Sequence, residues 1–471
     1  MDAAERQDAK YRQMIETPIP RLVCTLAVPT IISMLVTSIY NMADTFFVGK
    51  IGTSATGAVG VVFSLMAIFQ AVGFTIGIGS GNLVSRLLGS RKRQEAEHVA
   101  CTGFYTAFAA GVVLMVLGLV FIDPLMRVLG ATETILPYAR AYARYILLGA
   151  PFITSSFVLN NLLRFQGSAM YAMVGITAGG VLNILLDPLF IFVFGLETAG
   201  AAIATVLSQI VSFSILLIQC WRGGNIRMNP KKVRLKWDIY HEVLRGGLPS
   251  FYRQVLASIA TICLNLAAGP FGDAAIAAMS IVSRVMMFAQ SALIGFGQGF
   301  QPVCGFNYGA GRYDRVRKAF WFCVKVAGVG LLLIAVAGEC FAPQVIGLFR
   351  KGDAAVTTIG TVALRLQCLV FPLMGWSICL NMLQQNIGKS KAASILSAAR
   401  QGLFFLPLIL TLPRFLGVLG IQLSQPLSDL CTFALSVPMG ISLLRELREK
   451  DEQSRAARAD EQGRAPGEGA D

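Results

Sequence analysis

Along almost the whole chain, runs of about twenty residues with few charges recur, separated by short polar segments, as helices crossing a ~30 Å hydrocarbon layer require. Twelve such spans are predicted, near residues 22–46, 56–81, 98–122, 139–161, 171–194, 199–220, 243–268, 275–301, 319–342, 359–384, 393–413 and 418–443. A membrane barrel would show short alternating strands, so the spans are read as helices. The first follows a charged segment and lacks a small-residue cleavage site after a short apolar region, so it reads as span one and not as a removed leader.

The polar residues inside the spans are patterned too. In span one, Thr30, Ser33, Thr37, Asn41 and Asp44 are spaced 3, 4, 4 and 3, one face of a helix that should line water or protein. In span five Asn183 precedes Asp187 by one turn, and Pro188 frees the carbonyl of Ile184 from its helical donor.

Composition agrees with the pattern. Of 471 residues, 55% are hydrophobic and 14% charged, which excludes two or three soluble domains. The net charge of +14 could suggest a nucleic-acid partner, but the bases fall in every second loop. Arg6, Lys10, Arg12 and Arg21 precede span one, Arg91, Lys92 and Arg93 follow span two, and Arg222, Arg227, Lys231, Lys232, Arg234 and Lys236 follow span six. Arg312, Arg315, Arg317 and Lys318 follow span eight, Lys389 and Lys391 span ten, and Arg445, Arg448 and Lys450 span twelve. That alternation places both termini in the cytoplasm and excludes nucleic acid as the reason for the charge.

The cysteines are scattered singly and read as small apolar fillers, and His98 and His241 form no metal cluster. The fragment NIGKS, Asn386 to Ser390, has Leu383 where a phosphate loop needs its first glycine, so coupling to transport would come from an ion gradient. No nucleophile has a base at a plausible spacing, so an enzyme is not expected.

At a shift of 220 residues Pro29 meets Pro249, Gly49 meets Gly269, Gln70 meets Gln290, Gly79 meets Gly299 and Gly89 meets Gly309. At 221, Pro151 meets Pro372, Asn160 meets Asn381 and Gly167 meets Gly388. The chain is therefore expected to be all-α, with twelve transmembrane helices in two six-helix lobes related by a pseudo-two-fold along the membrane normal. The expected segments are an N-terminal cytoplasmic stretch (1–21), a first lobe (22–220), an inter-lobe loop (221–242), a second lobe (243–443) and a disordered cytoplasmic tail (444–471).

Counting depth along the spans brings Asp44, Asn183, Asp187 and Thr205 together in the outer half of the first lobe. Such oxygens can hold sodium, or exchange a proton at a carboxyl group. The repeat does not copy them: Asp44 falls opposite Leu264 and Asp187 opposite Pro407 or Leu408. The second lobe has Arg253, Arg284 and Arg400 instead, and Arg284 lies at a depth where it could pair with Asp429.

The stretches VPTIISMLVTSIYNMADTFFVGKIG, GFGQGFQPVCGFNYGAGRYDRV and NILLDPLF resemble multidrug and toxic compound extrusion (MATE) transporters, over residues 20 to 443 and most closely the DinF-like branch. The resemblance implies two rocking lobes that export amphiphilic, often cationic drugs in exchange for protons or sodium. In that branch Asp44, Asn183, Asp187 and Thr205 match the ion-responsive site and Pro29 the proline of a helix-one kink. The reading reached is a monomeric antiporter of a bacterial inner membrane, with no cofactor beyond its coupling ion, and with small amphiphiles and lipids as its partners. Pro29 and Pro188 are the expected kinks, and Thr37, Tyr40, Asn41, Gln70, Arg284, Gln298 and Asp429 the expected substrate-cavity residues. The alternative is a flippase for an anionic lipid-linked precursor, with Arg253, Arg284 and Arg400 holding its phosphates.

Overall fold

The computed structural model describes residues 3–51, 53–222, 225–349 and 353–463, and among these it contains helices and no strand. A helix on the terminal face, α1 (Ala3–Glu16), precedes the first lobe of α2 (Ile19–Gly49), α3 (Thr53–Gly89), α4 (Arg93–Val120), the short α5 (Ile122–Val128), α6 (Leu136–Phe165), α7 (Ala169–Pro188) and α8 (Glu197–Gln219). The second lobe holds α9 (Trp237–Ala268), α10 (Asp273–Gly309), α11 (Tyr313–Phe349), α12 (Ala354–Val370), α13 (Met374–Asn386), α14 (Ser390–Ala398), α15 (Phe405–Leu416) and α16 (Val418–Gly463). Span ten is α12 and α13, joined by a 3-10 turn at Phe371–Leu373 where Pro372 lacks an amide donor. Span eleven is α14 and α15, joined by a π-helical stretch, Ala399–Phe404. Among the described residues, twelve helical spans are long and apolar enough to cross a membrane, so this is a multi-pass membrane protein. The last helix continues to Gly463, through most of the segment expected from sequence to be a disordered tail, and residues 464–471 lie outside the described residues.

The lobes meet by a pair of equivalent crossings, α2 on α10 and α9 on α3, with α3 against α10 between them. Each crossing helix is shared. The start of α2 (Leu22, Val23, Leu26, Ala27) lies in the apolar core of the second lobe, while Val48 near its end lies in that of the first. Correspondingly, Val243 of α9 packs in the first lobe and Ala260 and Ala268 in the second.

The sequence repeat is visible at atomic contact. A Cβ on Gly79 would sit 2.0 Å from the Val243 carbonyl oxygen, and one on its repeat mate Gly299 would sit 2.4 Å from Ala27 Cα. A Cβ on Gly89 would lie 2.2 Å from the Phe306 oxygen, and one on Gly309 would lie 2.0 Å from the oxygen of Arg86, the residue equivalent to Phe306. These glycines let backbones touch, as small residues do where apolar side chains gain nothing from leaving lipid. All four contacts lie in the half of the molecule nearest the chain termini, so the lobes are sealed on that side.

Candidate functional site

The site is built where α2, α7 and α8 converge inside the first lobe. Both α2 and α7 run away from the termini, and Gly180 lets the Tyr40 ring approach to 3.2 Å of where its Cβ would be. One turn further along both helices, Asp44 reaches the level of Asn183, with Asp187 one turn beyond it on the same face of α7. The opposing α8 brings Thr205. Asn183 Nδ2 donates to Asp187 Oδ1 and to Thr205 Oγ1, each at 3.3 Å. Asp44, Asn183, Asp187 and Thr205 are 5%, 3%, 0% and 5% exposed. Pro188 ends α7, and the chain passes into a π-helical stretch, Leu189–Val193, that widens the backbone beside the carboxylate.

Three oxygens in this cluster have no hydrogen-bond partner among the described residues: Asp44 Oδ1, Asn183 Oδ1 and Asp187 Oδ2. Buried acceptors left open in this way are costly unless something fills them. Two carboxylates, an amide oxygen and a hydroxyl suit a proton on a carboxyl group or a hard cation such as sodium, whose preferred ligands are oxygens. The sequence reading missed Tyr142 of α6, which is 2% exposed and has its hydroxyl beside Thr205. Nothing in the spacing of span four marks it.

A cavity of about 250 Å³ lies against the cluster, lined among others by Thr37, Tyr40, Asn41, Gln70, Asn183 and Thr205. Four residues expected at a substrate cavity thus line one space, and two of the ion-site residues line it as well. Ser156, Ser208, Gln209 and Ser212, also on its wall, were not expected. Gln70 marks the edge toward the second lobe, accepting from Gln254 Nε2 at 2.8 Å.

The remaining expected cavity residues lie elsewhere. Gln298 is 5% exposed in the seal between the lobes, where its Oε1 accepts from the guanidinium of Arg164, itself 1% exposed. Asp429 does not pair with Arg284: its Oδ1 takes Arg400 Nε at 2.8 Å and Gln425 Nε2 at 2.8 Å. Arg400 stands on the π-helical stretch of span eleven, whose wider turn changes which face its side chain occupies. Arg400 is therefore neutralised, Arg253 has Ser250 Oγ at 3.4 Å, and Arg284 has no ion pair among the described residues. Helix α2 runs through Pro29 unbroken, with Ser33 Oγ donating to the Pro29 carbonyl at 2.9 Å and Thr30 Oγ1 donating across to Gly295 O at 2.6 Å.

A family model described as MatE matches residues 29–189 and 249–411, one segment in each lobe. The chain is 27% identical over 445 residues to the multidrug export protein MepA of Staphylococcus aureus, covering 93% of this chain and 97% of that protein. It also resembles a solved structure of a MATE protein in complex with MaL6, with a TM-score of 0.88 and 27% identity, covering 93% of this chain and 99% of that one. The outward-facing conformation of a multidrug resistance MATE family transporter of the MOP superfamily superposes with a TM-score of 0.87 at 27% identity, over 93% of this chain and 98% of that one.

Proposed function

The chain belongs to the MatE family, and on that premise we propose that it exports amphiphilic small molecules across a bacterial inner membrane in exchange for a proton or sodium ion. The observation that carries this reading is shared occupancy. Asn183 and Thr205 both line the cavity and hydrogen-bond within the carboxylate cluster, so an ion filling the open oxygens and a solute filling the cavity compete for the same side chains. Linked binding of that kind is what an exchanger needs, since each ligand lowers the affinity for the other.

Alternating access follows from the crossings. With both termini cytoplasmic, the glycine contacts close the inner side, and the cleft opens outward. Release of those contacts would let α2 and α9, each anchored in both lobes, act as the elements about which the lobes rock. When bound, the ion supplies charge neutralisation. Asp44 and Asp187 accept it, Asn183 and Thr205 orient it, and Tyr40 on Gly180 keeps α2 in register with α7.

Purified protein in vesicles, given a proton or a sodium gradient separately, should drive uptake of a cationic dye with one gradient and not the other. Asp187→Asn should remove gradient-driven uptake while leaving protein in the membrane. Undiminished uptake by that variant would overturn the assignment of the site.

A further inference from the structure

We propose that Arg284 forms a subsite in the cleft between the lobes for the carboxylate of an amphiphilic solute with an apolar body, an inference that rests on the export reading above. Its placement follows from the face of α10 it occupies. On that face Gly295 meets α2, where a Cβ would be 2.7 Å from Ile31 Cα, and Ser291 Oγ lies 2.9 Å from Ser38 Oγ. Arg284 is on the same face, two turns or about 10 Å further from the seal. Beyond the Ser38 to Ser291 contact the lobes part. Met42 and Phe46 on α2 are exposed, as are Met287 and Phe288 on α10.

The second crossing repeats this arrangement without the charge. Past the Gln70 to Gln254 bond, Ile262 and Leu266, the repeat mates of Met42 and Phe46, are exposed. The mate of Arg284 is Ser64, also exposed. Along the middle of the parted faces the side chains are thus apolar or neutral apart from the Arg284 guanidinium, the Lys50 ammonium lying further out, 4.4 Å from the centre of the Phe46 ring.

Nothing among the described residues neutralises it. Arg284 has no ion pair or hydrogen bond among the described residues, Asp429 is held by Arg400, and Asp44 and Asp187 are buried inside the first lobe. A guanidinium binds a carboxylate through two parallel hydrogen bonds, and apolar walls strengthen that attraction. Arg284 shares its face of α10 with Ser291 and Gly295, both of which meet α2 of the opposite lobe, which favours a solute entering the cleft over a membrane lipid.

The test uses dansyl-undecanoate and its methyl ester, which share a body and differ in charge, with binding to the purified full chain followed by fluorescence. Wild-type protein should prefer the carboxylate, and Arg284→Gln should weaken it by about ten- to hundredfold, the value of a hydrogen bond to a charged partner. Ester binding should change less than twofold, which also reports that the variant is folded, and Arg284→Lys should retain part of the preference. Equal losses for both probes, or none, overturn the subsite. An Arg284-dependent contrast seen only with fluorescent phosphatidylglycerol, against phosphatidylcholine, overturns the small solute in favour of a lipid. Gradient-driven efflux of a cationic dye in the same preparation reads the export function separately: its absence from wild type would sink that reading while the binding contrast still decides the subsite.

Discussion

Asn183 Nδ2 spans the gap between Asp187 Oδ1 and Thr205 Oγ1 at 3.3 Å each, and in doing so turns its own oxygen toward no partner among the described residues. One amide thereby fixes a carboxylate and a hydroxyl, and offers an acceptor beside them. Asn183→Ala should therefore raise the ion concentration for half-maximal transport by about tenfold, the worth of one charged hydrogen bond. Thr205→Val should cost less, since it removes one hydroxyl and keeps the shape. Ion titrations of uptake in vesicles measure both, and unchanged half-maximal values would remove Asn183 from the site.

Arg400, half-buried, and Asp429, buried, form an ion pair in the second lobe, with Gln290 and Gln425 as further partners. Breaking a fully buried pair from one side costs about 3–5 kcal/mol, and this half-buried one should cost less, whereas replacing both ions can be neutral. Asp429→Leu alone should lower the melting temperature in detergent more than Arg400→Met with Asp429→Leu together. A double variant less stable than the single would show that the pair contributes net stability.

Gly79 and Gly309 sit where backbones touch across the lobe interface, on α3 and α10. Gly79→Leu or Gly309→Val cannot fit the sealed state without moving backbone, so each should populate the form open toward the termini. Faster amide hydrogen exchange at the junction of α1 and α2 is the expected signature, and wild-type exchange rates would count against a seal built on these contacts.

Arg164 hydrogen-bonds Gln298 across the lobes and Asn161 within its own, and meets no carboxylate among the described residues. Gln298→Glu turns the cross-lobe hydrogen bond into an ion pair with Arg164 and should hold the seal shut, lowering kcat for export with little effect on KM. A change in KM alone would return Gln298 to the substrate cavity expected from sequence.

Lys10 lies on α1, outside the membrane spans, and donates to Ser168 Oγ at 2.5 Å and Asn225 Oδ1 at 2.6 Å. Burial, aided by the Arg93 charge, pushes its ammonium down to about 7. Docked α1 then binds fewer protons than free α1 between about pH 7 and the ordinary lysine range, so docking strengthens as pH rises through that window and is weakest below 7. Limited proteolysis of α1 should be faster at pH 6 than at pH 9 in wild type and independent of pH in Lys10→Met.

Much of this molecule is written in the order of its residues. Span number, the two-fold repeat and the stripe from Thr30 to Asp44 depend only on periodicity and helix rise, which a chain in lipid must obey because its backbone has no other hydrogen-bond partners. The cluster of Asp44, Asn183, Asp187 and Thr205 was legible for the same reason: spacing sets the face, topology sets the depth, and four polar groups at one depth in lipid must meet. Other features needed the fold. Asp429 took Arg400 and not Arg284 because Arg400 stands within a π-helical stretch that packs against α16, and no count along the sequence reveals that stretch or its neighbour. Gln298 belongs to the seal and Arg284 to the open cleft although both lie on α10, because the crossing of two lobes decides where a helix face is covered. Depth and facing follow from local geometry, which the sequence determines; partners across helices follow from rotation and lobe packing, which only the tertiary structure decides.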